Sequence, residues 1–450
     1  MRIARRTALA LGSIAVISAI ALTGCSSSSS STESSQEKVS QSEIDKALDT
    51  PTTITMWSWL PNLQDEIDLF EKKYPKITVK LVNTTGGTQQ YPKLRSALKA
   101  GKGAPDVAQI EYQYISSFRQ TKSLADLTPY GGKDLQKQFV PWVWKQVDDG
   151  QGVWAVPQDS GPLGNLYRDD IYRAAGVTES PKTWAEFADA AAKIKSATGS
   201  YIADLPGNDP GQMVGLFWQA GAKPFGYDGK KTVSIDIDSA QTQKVVSFWQ
   251  DLVQKDLVAT DPDFADNWYQ GLAQGKYASW QTAAWGPVFL QGTAKDTSGK
   301  WRAADIPQWS AGENVSGNWG GSTSAVLATS TKKIAAYELA KFINTDQEST
   351  LMFANKQFLF PVTTSTLASS DFVDTKSDFY GGQQVNKLFA GVSDTVATDF
   401  EWLPFMDYVY SSYTSTVGDA ITNHGDMVSA LKKWDDDVTA YAKQQGFTVK

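Results

Sequence analysis

The sequence predicts an α/β protein large enough to need two lobes. Its 450 residues exceed what a single core holds, about 250 to 300. The first third of the body alternates strand and helix patterns across short connections, the mark of a parallel sheet covered by helices. The third observation is composition, with 41% hydrophobic and 20% charged residues, as in a globular chain. A net charge of −7 leaves no basic face for tracking phosphates. One Cys and one His rule out an internal disulfide, a Cys-rich metal site and any mechanism that needs a His pair. Carboxylate and Ser/Lys chemistry survive, and no cofactor is implied.

Arg2, Arg5 and Arg6 precede an uncharged apolar run at 7–22, the pattern of a secretory leader. The run is too short for a comfortable membrane span. Leu22, Thr23, Gly24 and Cys25 resemble the lipobox of bacterial lipoproteins. That likeness implies a leader at 1–24, cleavage before Cys25 and a lipid anchor on its sulfur. Losing three arginines and no acids leaves 39 basic and 49 acidic residues, a net of −10. Residues 26–35 are almost all serine, so 25–51 is expected to be a flexible tether. A coil of ~25 residues spans about 25 to 30 Å.

The body begins with a strand at 54–57, a turn at Pro61 and Asn62 as N-cap, followed by Leu63, Ile67 and Phe70 on one helical stripe. Pro75 ends that helix, and Ile77, Val79 and Leu81 alternate as a second strand. The loop 84–88 leads to a helix with Tyr91, Leu94 and Leu98 on one face and Gly101 as its stop. Pro105 and Asp106 introduce a third strand at 107–110. Crevices in such sheets lie at the strands' carboxyl ends, which singles out Ser58, Trp59, the 84–89 loop with Gln89, Glu111 and Tyr112. Further on, Thr183 and Glu186 form a capping box ahead of Phe187, Ala191 and Ile194. Ala335, Leu339 and Phe342 or Ile343 face inward on a later helix. Met427, Leu431, Trp434 and Val438 make the stripe of the last, with Gly446 near its end.

Several familiar chemistries are excluded. The Gly-Lys pair in 292–300 has the wrong spacing for a P-loop, and Trp301 stands where Ser or Thr is required. The glycines in 320–324 do not bracket a serine as a nucleophile elbow would. Asp261 with Asp263, and 435–437, lack the alternation of a calcium loop and read as a helix cap and a solvated helix face. His424, between Asn423 and Gly425, reads as exposed.

Val153-Trp154-Ala155-Val156-Pro157, Asn165-Leu166-Tyr167-Arg168-Asp169, Ala175-Gly176-Val177 and 181–187, in that order and spacing, carry a family likeness. So do Phe70-Glu71 with Tyr74-Pro75, 103–107, 275–278 and Gly320-Gly321-Ser322. The chain resembles the extracellular solute-binding proteins, family 1, of ABC importers, in the branch of maltose-binding and other oligosaccharide-binding proteins. That resemblance implies a periplasmic-binding-protein-like fold of two α/β lobes, 52–159 with 320–368 and 160–319 with 369–450. Three crossings would join them, at about 158–161, 319–321 and 367–371. Ligand would bind between the lobes, and the partners would be an oligosaccharide and permease subunits, with the protein a monomer. Tether and lipobox favour a Gram-positive surface.

All 16 Trp, 17 Tyr and 19 Phe lie in the body. A sugar presents a C–H face to flat rings and hydroxyls to polar forks. By location the candidate platforms are Trp57, Trp59, Tyr112, Trp280, Trp285, Trp319 and Trp402, with Trp142, Trp144, Trp184, Trp249 and Trp434 assigned to packing. Glu111 and Asp159 are candidate hydroxyl acceptors, and Ser58, Gln89, Gln281, Gly320 and Glu401 accompany them. Two other readings fit the same residues. One is a polyamine or quaternary ammonium held by tryptophans and acids. The other is a surface glycoside hydrolase with paired carboxylates, although no marked acid pair stands out.

Overall fold

The computed structural model describes residues 38–450. The leader, Cys25 and the serines that follow it lie outside the described residues. The tether expected to run to residue 51 ends earlier. Helix α1 (Gln41–Leu48) opens with a capping box in which Ser40 and Glu43 satisfy each other's backbone. Ile44 and Leu48, one turn apart, then pack inward, and the helix lies on Lys333–Thr345. Low apolar content hid a helix that needs only two apolar residues and a neighbour.

The first sheet has the order β2 (Ile77–Asn83), β1 (Thr52–Ser58), β3 (Val107–Glu111), the strand Ser322–Val326, then β4 (Val156–Pro157). β1 runs parallel to β2 and β3, as the alternating pattern predicts, and Ser322–Val326 runs antiparallel to β3 and β4. Three connecting helices follow these strands: α2 (Gln64–Lys73), α3 (Gly87–Ala100) and α4 (Tyr112–Gln120). Asn62 is not the cap of α2. It adopts φ 60°, which Asn tolerates, and its carbonyl accepts from Asp65, leaving Leu63 as cap. Gly101 does stop α3, at φ 65°. The second sheet centres on β5 (Leu163–Arg168), flanked antiparallel by Ser279–Ala283 and Trp301–Asp305. The Thr183–Glu186 box starts the helix Trp184–Thr198, and all four stripe residues of Met427–Gln444 are fully buried. Asp435 on that helix is half-buried rather than solvated, accepting from the Ile237 and Asp238 amides.

The chain passes between the sheets beside itself. Trp319 N–H donates to the Gly161 carbonyl, Gly161 N–H to Asn318 Oδ1 at 2.8 Å, and Ser322 N–H to Asp159 Oδ1 at 2.8 Å. Gly321 sits at φ 102°, where a Cβ would press within 2.6 Å of the Tyr112 ring. Farther along, Thr364–Leu367 and Ser370–Val373 pack against Gln347–Asn355, and the latter also meets Val385–Ser393. The fold is thus two α/β lobes, each with its own sheet.

Candidate functional site

The carboxyl ends of β1 and β3 meet the start of α3. A side chain at Gly87 would collide with Glu111 Oε2 at 2.7 Å and the Tyr91 ring at 2.9 Å, so glycine there lets the helix approach the strand. Tyr91 Oη donates to Glu111 Oε2 at 2.9 Å and accepts from the Glu111 amide at 3.0 Å. Burial raises the Glu111 carboxyl above its ordinary range. Hydrogen bonds from Tyr91 and Gln113 oppose the shift, and the charges of Asp209 and Asp407 add to it. The Trp59 ring stands edge-on to Tyr91, with centroids 6.1 Å apart, and Tyr91 lies 4.5 Å from Tyr114.

Facing these residues are Pro210, Asp407, Tyr410, Ser411 and Thr414, which with Tyr91, Pro92 and Tyr114 enclose a cavity of about 350 Å³. Arg95 of α3 reaches across it to Asp407 Oδ2 at 2.7 Å. Burial pushes the Tyr410 phenol up, and the charges or rings of Tyr114, Asp209 and Glu111 add to that. Side chains far apart in sequence therefore share one small space.

A second group adjoins the passage at 318–321. Trp285 lies 4.9 Å from Trp319 and 6.0 Å from Trp280, centroid to centroid. Phe264 touches all three rings, at 6.5 Å from Trp280, 6.1 Å from Trp285 and 5.9 Å from Trp319. Phe264 is 41% exposed at φ 59°, a conformation costly for a bulky residue. Phe289, one turn beyond Trp285, stands 5.7 Å from it. Asp209 caps the helix Pro210–Gln219 through the Gly211 and Gln212 amides, and Gly211 leaves room for the Trp319 indole. Burial raises both Asp209 and Asp263, and the charge of Asp209 adds to the rise at Asp263. Asn208 bonds Asp263 Oδ1 at 2.8 Å, while Oδ2 has no partner among the described residues.

The predicted residues divide accordingly. Trp59 and Glu111 belong to the group around Tyr91, and Trp280, Trp285, Trp319 and Gly320 to the group around Phe264, Gly320 lying against the Trp285 indole. Tyr112 and Asp159 meet at the passage between the sheets: Tyr112 Oη donates to the Asp159 carbonyl at 2.9 Å, and burial lifts the Asp159 carboxyl to about 7, with Glu111 adding to the rise. Gln89 is exposed on the first turn of α3 and accepts from Thr85. Trp57 packs half-buried within β1.

Four expectations are corrected. Ser58 is buried and donates to Gln109, and Gln281 is buried and donates to Asn165, so both serve the sheets. Trp402 is buried with its indole N–H on Gln146, and Glu401 accepts from the Tyr227 amide in an exposed turn. His424 is exposed, as read. Tyr91, Tyr114, Asp209, Phe264 and Tyr410 escaped sequence reasoning. Tyr91 shares one helical face with Leu94 and Leu98, which gives it no separate signal. Phe264 carried a signal, an apolar ring in a Pro- and Asp-containing loop. No group of His, Cys, Asp and Glu among the described residues could hold a metal ion.

Residues 57–349 match the family model of the bacterial extracellular solute-binding proteins. A lactose-binding protein of Rhizobium radiobacter is 26% identical over 392 residues, covering 82% of this chain and 86% of that relative. Among solved structures, an ABC transporter associated binding protein from B. animalis subsp. lactis Bl-04, in complex with β-1,6-galactobiose, is 31% identical. It superposes with a TM-score of 0.77 over 88% of this chain and 99% of its own. The galacto-N-biose/lacto-N-biose I-binding protein of Bifidobacterium longum, in complex with lacto-N-biose, is 25% identical at the same TM-score, covering 88% and 98%.

Proposed function

Because the chain belongs to the bacterial extracellular solute-binding proteins, we propose that it captures an oligosaccharide between its lobes and delivers it, unchanged, to the permease of an ABC importer. The observation that carries this reading is the pairing of partly open aromatic rings, Trp59, Phe264 and Trp285, backed by the buried Trp319, with a hydrogen-bonding fork at Glu111 and Tyr91. Flat rings suit the C–H face of a pyranose, and the fork suits its hydroxyls. Relatives that carry lactose, arabino-oligosaccharides or β-1,6-galactobiose in their names or complexes support the same class. The lobes are taken as 52–159 with 320–368 and 160–319 with 369–450, closing about the passages at 158–161, 319–321 and 367–371. Ligand favours the closed state by touching both lobes at once. Cys25 would anchor the protein, a monomer, to the cell membrane.

Titration calorimetry with lactose, β-1,6-galactobiose, lacto-N-biose and arabino-oligosaccharides tests the reading. Binding near micromolar, about −8 kcal/mol, is expected for at least one of them. No heat from any sugar at millimolar concentration would overturn it. Glu111, Asp209 and Asp407 lie near enough to act on one another and Asp263 beside Asp209, with Arg95 paired to Asp407, and this gathering of acids favours an organic cation as second reading. Spermidine or choline binding that weakens steeply with salt would select it over a neutral sugar.

A further inference from the structure

The lobes touch through Arg95 and Asp407 beside the smaller cavity. Elsewhere between them lies a larger one, of about 620 Å³. Its walls are Pro287, Val288 and Gln291 on one side and Ala354, Asn355 and Phe358 on the other. The first trio belongs to the helix Gly286–Thr293, whose cap is Trp285 and whose Phe289 ring rests on Trp285. The aromatic platform and this cavity are therefore two faces of one element.

Phe358 is 49% exposed and held at φ 60°. A large side chain in that conformation costs free energy that the surroundings must supply. The neighbouring Gln357 supplies an anchor, donating to Glu66 Oε1 at 2.7 Å and to the Asn62 carbonyl, in the turn that follows β1. The segment is thus pinned with its ring on the cavity wall instead of in the core. Gln291 and Asn355 bring amide groups to the two sides of the cavity, and neither side chain is hydrogen-bonded among the described residues.

We propose that the ligand groove continues from Trp285 into this cavity, so that the protein takes a neutral saccharide chain longer than a disaccharide. Phe358 would contact an outer ring, and Gln291 and Asn355 its hydroxyls. The inference rests on the carbohydrate reading above. The volume falls within the ~300 to 1,000 Å³ of small-molecule sites, and one flat ring with two amides has the donors and acceptors a polyol needs.

The test is calorimetry on the full mature chain with linear β-galacto-oligosaccharides and arabino-oligosaccharides of two to five units. In at least one series affinity should rise tenfold or more between two and four units. Two variants should erase that rise while leaving disaccharide affinity and melting temperature at wild-type values. Phe358→Asn removes the ring and suits the left-handed backbone. Val288→Arg fills the cavity. Equal wild-type affinity for two and four units in every series, or a length increment that survives both variants, would overturn the extension while leaving the carbohydrate reading intact. Binding of no saccharide at any length would overturn both.

Discussion

Trp218 stacks on Phe400 at 4.3 Å and meets Trp142 and Trp402 edge-on, while Phe264, Trp285 and Trp319 crowd together beside the passage at 318–321. Both clusters are aromatic, yet they are finished differently. In the first every ring is buried and every indole N–H is used: Trp142 on Ser393, Trp218 on the Ala397 carbonyl, Trp402 on Gln146. In the second, Phe264 and its neighbour Phe289 stay exposed and the backbone at Phe264 is strained; Trp285 Nε1 donates to the Trp319 carbonyl at 3.1 Å, while Trp319 Nε1 has no partner among the described residues. Satisfied donors and buried faces give cohesion. Open faces and spare donors give something to offer a ligand.

The largest effect should come from breaking the closed cluster. Trp218→Ala is expected to cost about 3 to 5 kcal/mol of stability, read as a lowered denaturation midpoint, while the protein that remains folded in the cold binds sugar as wild type does. Trp285→Ala should do the reverse. Affinity falls about 30-fold, roughly 2 kcal/mol, as for a central stacking residue, and the midpoint moves by less than about 1 kcal/mol. If both variants lost stability alike, the contrast between the clusters would be wrong.

Asp159 lies in the passage between the two sheets and offers a pH test. Burial raises its carboxyl to about 7, so the fold prefers it protonated. Its contribution is complete below the ordinary carboxylate range and is lost as pH rises toward 7, with a slope of at most about 1.4 kcal/mol per pH unit for one proton. Asp159→Asn keeps an oxygen to accept from the Ser322 amide. It should melt with wild type at pH 4 and above it at pH 8. A variant less stable at pH 8 would mean that the ionised form is the one this passage uses.

The sheet around β1 and β3 was legible because its periodicities are local: parallel strands, the Gly101 stop and the Thr183 capping box all follow from near neighbours. Trp285 and Trp319 were legible as loop tryptophans near glycines. Trp402 was not, because its fate depends on Gln146, 256 residues away, and on Phe400 and Trp218 packing against it. Tyr410 was missed for the complementary reason. It lies on Met406–Tyr413, whose Tyr413 is fully buried, and only the approach of Tyr114 and Glu111, distant in sequence, marks it. One-dimensional periodicity says which face is apolar, not whether that face meets a neighbour or a gap.

The smallest expected effect isolates the hydrogen bond itself. Trp402 and Trp319 are buried almost equally, at 8% and 6% exposure, so replacing either by Phe removes a similar volume from a similar surrounding. What differs is the indole donor. Trp402 Nε1 donates to Gln146 Oε1 at 2.6 Å, and Trp402→Phe leaves that amide oxygen without its partner. Trp319→Phe removes a donor that no described residue accepts from. Trp402→Phe should therefore be the more destabilising by about 1 kcal/mol, the usual net worth of one such bond. A further Gln146→Ala in the Trp402→Phe background should cost more again, since Gln146 Nε2 also donates to the Phe400 carbonyl at 3.1 Å. For ligand the order should invert, with Trp319→Phe weakening binding and Trp402→Phe leaving it unchanged. Equal denaturation midpoints for the two single variants would show that the Gln146 bond contributes nothing, and that burial alone separates the cohesive cluster from the open one.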